Sequence, residues 1–150
     1  MSANPLQRYY EEIEPGDRLV TRGRTVTEAD IVNWCCHTGD FYVLHTDADY
    51  AAGSRFGQRI APGIMVYAFS AGLAIPPDAP AIVANYGADA LRYTAPTLIG
   101  DTIHAEIEVA SKEPRKNGGV VELIWNVVNQ NGVNVVESRM KILFAGRGHG

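Results

Sequence analysis

The run "APGIMVYAFSAGLAIPP" constrains the fold more than any other stretch. From Gly63 to Ile75 almost every residue is apolar or small. Pro62 suits the first turn of a helix, where its missing amide costs nothing, and Pro76 and Pro77 end it. A helix apolar on every side is predicted to be buried, with Tyr67 and Phe69 as core residues. It is too short to cross a bilayer, which takes roughly 20 apolar residues. The rest of the chain must therefore surround it.

The second half can do so. "DTIHAEIEVAS" sets Ile103, Ala105, Ile107 and Val109 on one face and His104, Glu106 and Glu108 on the other, the period of a half-buried strand. "GGVVELIWNVVNQ" follows a glycine turn, Asn131-Gly132 is a hairpin signal, and "VNVVESRMKILFA" returns from it. "AIVANYGADALRYTAP" carries mixed strand signals. The expected fold class is α+β, a long antiparallel sheet around a buried central helix. At 150 residues one core is expected, a single domain over 1–150, with "GRGHG" from Gly146 onward as a flexible tail.

The first half reads as shorter pieces. "DRLVTRGRT", Asp17 to Thr25, suits an edge strand. Thr27 with Asp30 three residues on resembles a capping box, opening a helix from Glu28 to about His37 that buries Ile31, Trp34 and Cys35. Gly39 suits the turn that stops it. Thr46 or Asp47 can cap a second helix over roughly 48–54.

Several function classes are disfavoured. A net charge of -4 argues against a nucleic-acid partner. Neither a signal-peptide shape at the N-terminus nor a membrane-length apolar run is seen, so a cytoplasmic protein with no membrane partner is expected. Cys35 and Cys36 are adjacent and read as reduced thiols used in packing, and no metal-ligand spacing occurs. Arg55, Arg92, Arg115 and Lys116 read as solvated surface.

The most polar chemistry lies in "TGDFYVLHTD", where Asp40 and His45 stand five positions apart around an apolar spacer. This is either a solvated loop that happens to hold both groups or a bent segment aiming them at one site. On a regular helix, positions five apart point about 140° from each other. Convergence therefore needs a non-helical bend between them, with Phe41, Val43 and Leu44 anchoring it to the core.

These residues resemble the MaoC-like dehydratases, or R-specific enoyl-CoA hydratases, which have the hot-dog fold. "GDFYVLHTDADYA" carries Gly39, Asp40, His45 and Ala51 at the spacing of that family's hydratase motif, and "FGQRIAPGIM" and "PTLIGDTI" follow in the family's order. Tyr42 and Val43 stand where the family usually has Asn and Pro, and Pro62 stands where His commonly precedes the helix glycine. The resemblance runs from about Tyr9 to Ala145.

The resemblance implies reversible addition of water to a trans-2-enoyl thioester, carried on coenzyme A, giving the (R)-3-hydroxyacyl-CoA. Asp40 and His45 are then the catalytic residues sharing one water. Gly63, at the start of the apolar helix, is the backbone N–H donor to the thioester oxygen. It implies no bound cofactor beyond the coenzyme A of the acyl-CoA substrate, no metal, and a homodimer or higher homo-oligomer. Two alternatives stay open: a hot-dog acyl-CoA thioesterase, and a partner-dependent subunit of a two-chain hydratase.

Overall fold

The structure, a computed structural model, describes residues 4–149. Two short strands, β1 (Arg18–Val20) and β2 (Arg24–Thr25), precede four helices: α1 (Glu28–Thr38), α2 (Val43–Thr46), α3 (Ala48–Ala52) and α4 (Gly63–Ala74). Four long strands follow, β3 (Ile82–Tyr93), β4 (Thr102–Arg115), β5 (Gly118–Asn129) and β6 (Asn134–Ala145). They form one antiparallel sheet in the order β1-β4-β5-β6-β3, with β2 also on β4. The single edge strand expected over 17–25 is thus two short strands, both on β4.

The alternating pattern of β4 holds: Ile103, Ala105, Ile107 and Val109 are buried against the helix layer. Leu123, Trp125 and Val127 of β5 and Met140, Ile142 and Phe144 of β6 extend that floor. α4 lies on it, burying Met65, Val66, Tyr67, Ser70 and Ala74. Polar pairs fix its rotation. Trp125 Nε1–H donates to Ser70 Oγ at 2.9 Å, and Ser138 Oγ–H donates to Tyr67 Oη at 2.9 Å, all in the interior.

Contrary to the expectation from its composition, α4 is not buried on all sides, and Phe69, expected in the core, is only half-buried. Ile64 is 49% exposed, and Ala68 and Gly72, one and two turns further on, are exposed as well. A single sheet covers only one side of a helix, and among the described residues no second layer lies over the exposed side.

The capping predictions for α1 are met, and Ile31 and Cys35 are buried as expected, but Trp34 is only half-buried and Cys36 is exposed rather than packed. Thr27 Oγ1 accepts from the Asp30 amide, and Asp30 accepts from the Thr27 amide. Gly39 ends the helix at φ 77°, in the left-handed region, donating its N–H to Cys35 O at 2.8 Å. α3 is capped by Asp47, whose side chain accepts from the Tyr50 amide, and stops two residues before the expected Ser54. The tail expected to be flexible from Gly146 is tied at its start: Gly146 N–H reaches Asn117 O at 2.8 Å, and Arg147 pairs with Glu12. Gly150 lies outside the described residues.

Candidate active site

After Gly39 the chain leaves α1 without a helical path. Asp40 N–H donates to Thr38 Oγ1 at 3.2 Å, and Asp40 Oδ1 accepts from the Tyr42 amide at 3.3 Å. This is an Asx-type turn, the ordinary way a short acid bends its own backbone. α2, a single helical turn, then carries His45. The non-helical bend predicted between the two is confined to residues 40–42, and His45 itself is helical.

The apolar spacer does not anchor this bend in the core. Phe41 is 58% exposed and Val43 38%, while Leu44 is half-buried. Hydrogen bonds hold α2 instead. Thr46 Oγ1–H points back to the Phe41 and Tyr42 carbonyls, and Ile60 N–H donates to Leu44 O at 3.1 Å. A one-turn helix has too little surface to bury a hydrophobic face.

His45 is half-buried, with Nδ1 2.7 Å from the Ile60 carbonyl oxygen. A carbonyl only accepts, so Nδ1 carries the hydrogen. In the neutral ring, Nε2 is then the nitrogen with a free lone pair. The Ile60 segment is itself pinned, because Ile60 bridges to Leu98 and Ala61 N–H donates to Thr97 O at 2.8 Å. Tyr42 meets the imidazole edge-on, with centroids 5.8 Å apart.

His45 and Gly63 line one cavity of about 370 Å³, together with Val66, Tyr93, Thr97 and Val136. Gly63 opens α4 after Pro62, where the first-turn amides lack helical partners. Its lack of a side chain has a local cause: a Cβ there would lie 2.6 Å from Tyr93 Cδ1. Arg55 also lines the cavity, its guanidinium 5.5 Å from the centre of the Phe56 ring. Arg92 and Arg115 lie elsewhere on the sheet, facing Glu137 and Glu113.

Asp40 is half-buried and is not among the residues lining that cavity. Its charge is felt at the end of α1: burial raises the Cys35 thiol, and Asp40 raises it further. The structure therefore brings His45 and Gly63 to one cavity and leaves Asp40 in the preceding turn, outside the residues that line it. Sequence reasoning missed the Ile60 carbonyl, a backbone group without a signature, and Tyr93, whose direction depends on strand register.

The description "MaoC like domain" matches residues 11–131. The chain belongs to the MaoC-like dehydratase family. Protein MaoC of Klebsiella aerogenes is 42% identical over 109 residues, 73% of this chain but 32% of that protein, so the chain spans about a third of that relative. The (R)-specific enoyl-CoA hydratase of Rhodospirillum rubrum is 30% identical over 99% of this chain and 100% of its own length. The solved monoamine oxidase regulatory protein of Archaeoglobus fulgius superposes with TM-score 0.87 at 34% identity, covering 97% of this chain and 98% of that one. At 18% identity and TM-score 0.78, a double hot-dog protein of Mycobacterium tuberculosis shares the fold, over 95% of this chain and 46% of that one. The fold is the hot-dog fold, and the family is one of MaoC-like hydratases and dehydratases. Among the described residues, no helix is long and apolar enough to cross a membrane, and no cluster of His, Cys, Asp or Glu suits a metal ion.

Proposed function

We propose that this protein catalyses reversible addition of water to a trans-2-enoyl thioester, with coenzyme A as carrier and the (R)-3-hydroxyacyl thioester as product. The observation that carries the reading is the 2.7 Å contact between His45 Nδ1 and the Ile60 carbonyl. It leaves Nε2 as an acceptor on a residue that shares a cavity with the N-terminus of α4.

Water held by Asp40 and His45 gives a proton to Nε2 as its oxygen bonds to C3. The double-bond electrons move through C2 onto the thioester oxygen, which the Gly63 N–H and the helix dipole stabilise. The imidazolium then returns the proton to C2, so one group serves as base and acid. One such backbone donor is worth roughly 3–4 kcal/mol of barrier in other enzymes. No step calls for a bound cofactor. The (R) configuration rests on the name of the Rhodospirillum rubrum relative.

Two further elements belong to the proposal. The free thiols Cys35 and Cys36 suit a reducing cytoplasm. A homodimer is supported by the unpaired outer edge of β3.

The test follows the enoyl-thioester absorbance as purified protein meets crotonyl-CoA, with chiral analysis of the product and a parallel assay for free thiol. Loss of the absorbance with formation of (R)-3-hydroxybutyryl-CoA is expected. Thiol release without hydration would make the protein a thioesterase, and inertness toward enoyl thioesters of several lengths would end the proposal.

A further inference from the structure

β3 does not run smoothly along β6. The register steps between Ile82 and Ala84, between Asn85 and Gly87, and between Asp89 and Arg92. Directly opposed residues on neighbouring strands share a face of the sheet. Asp89 lies opposite Arg139, both exposed on the outer face, whereas Tyr93 lies opposite Val136, which is buried beneath the helix layer. Side chains alternate along a strand, so Asp89 and Tyr93, four positions apart, would share the outer face of a regular one.

The last step separates them. Three residues of advance on β3, from Asp89 to Arg92, match two on β6, from Arg139 to Glu137. The extra residue is a bulge, and within it Ala90 takes φ 50°, a left-handed conformation that a side-chain-bearing residue adopts at a cost. The strand bears that cost where Tyr93 is turned from the outer face to the inner one.

Turned inward, the ring does not enter the core, for Tyr93 remains 49% exposed. It stands in the cavity wall and rests on the first residue of α4. Three of its atoms would lie within 2.9 Å of a Cβ at Gly63. His45, Gly63 and Tyr93 thus border the same space.

We propose that Tyr93 determines substrate class in this site: its ring closes the space beside the thioester carbonyl, so the site takes acyl groups unbranched at C2 and rejects C2-alkyl ones. The proposal rests on the oxyanion role of Gly63 stated above. A carbonyl oxygen on the Gly63 N–H has C2 and the sulfur each two bonds away, and the proposal sets the C2 side against the ring that abuts Gly63. A hydrogen at C2 fits there, and a methyl group meets the aromatic face.

The experiment measures binding of two saturated thioesters that cannot be hydrated, butyryl-CoA and 2-methylbutyryl-CoA, by calorimetry. Wild-type protein is expected to favour butyryl-CoA by at least tenfold. Tyr93→Ala and Tyr93→Leu, each checked by circular dichroism, are expected to shrink that preference below threefold, while Tyr93→Phe, which keeps the ring, retains it. Equal binding by wild type, an undiminished preference in both truncations, or no binding of either thioester would overturn the proposal. Crotonyl-CoA turnover, run in parallel, separates the two claims. Hydration without C2 discrimination removes the role of Tyr93 alone, and ring-dependent discrimination without hydration removes the proposed reaction alone.

Discussion

His45 is fixed through one ring nitrogen and Asp40 through one carboxylate oxygen, so each can be disabled without dismantling the turn that carries it. Asp40→Asn keeps an oxygen that can accept from the Tyr42 amide. His45→Gln removes the ring nitrogen left free by the Ile60 contact. Positioned acid–base groups contribute roughly 10²–10⁴-fold to rate. Each substitution is therefore expected to lower kcat on crotonyl-CoA by about that factor, with an unchanged circular dichroism spectrum. The two arms differ in weight. His45 lines the cavity and Asp40 does not, so near-normal turnover in Asp40→Asn would reduce Asp40 to a turn residue and leave His45 as the sole base. Both were visible in the sequence because polar side chains at a set spacing leave a mark there. The Ile60 carbonyl left none, since any residue at position 60 supplies the same oxygen.

At the scale of elements, capping chemistry was legible and the buried side of α4 was not. Thr27 and Asp30 close the N-terminus of α1 as their spacing predicts, because a capping box depends only on neighbouring residues. Burial pushes the Asp30 carboxyl up, but the Thr27 amide and hydroxyl and the Arg24 guanidinium outweigh it and hold the group below its ordinary 3.8. A depressed carboxyl adds stability that is present above the ordinary value and lost as pH falls through the lowered one. Urea titrations should therefore find wild type more stable than Asp30→Asn near neutrality, by about 1 kcal/mol as for other caps. The gap should close in acid below the lowered value, and a gap constant across that range would refute the ionic cap. The stripe of Ile64, Ala68 and Gly72 shows the opposite limit. A helix apolar on all sides carries no periodic signal of which side meets the sheet. That choice falls to Ser70 and Tyr67, whose hydroxyls bond to Trp125 and Ser138. Ser70→Ala leaves the buried Trp125 N–H without its acceptor, which costs about 1–3 kcal/mol. A fall in Tm of roughly 2–4 °C per kcal/mol is expected for a chain of this size. An unchanged Tm would mean that another acceptor replaces the serine.

For the molecule as a whole, the plan of a sheet around one helix was readable from an apolar helix and alternating strands, but strand order was not. Alternation tells which face of a strand is buried and nothing about which strand lies beside it. β3 is the outermost strand next to β6, and its other edge has no partner among the described residues. It is long for an edge strand, twelve residues, and carries Val83 and Tyr86 each 59% exposed. Long apolar edges invite pairing with another chain, whereas bulges and charges discourage it. β3 has both kinds of feature, with three register steps and Asp89 paired to Lys141. The apolar side chains decide the expectation, since exposed aromatic and β-branched residues grouped on one edge mark an interface more often than a free surface. Light scattering on the purified protein should report a dimer. Val83→Lys combined with Tyr86→Lys should give a monomer of unchanged secondary structure, because each copy would then bring two positive charges to the shared edge. A monomeric wild type would leave β3 as a blunted edge protected by its bulges. A dimer that survives both lysines would move the interface elsewhere, to the exposed side of α4.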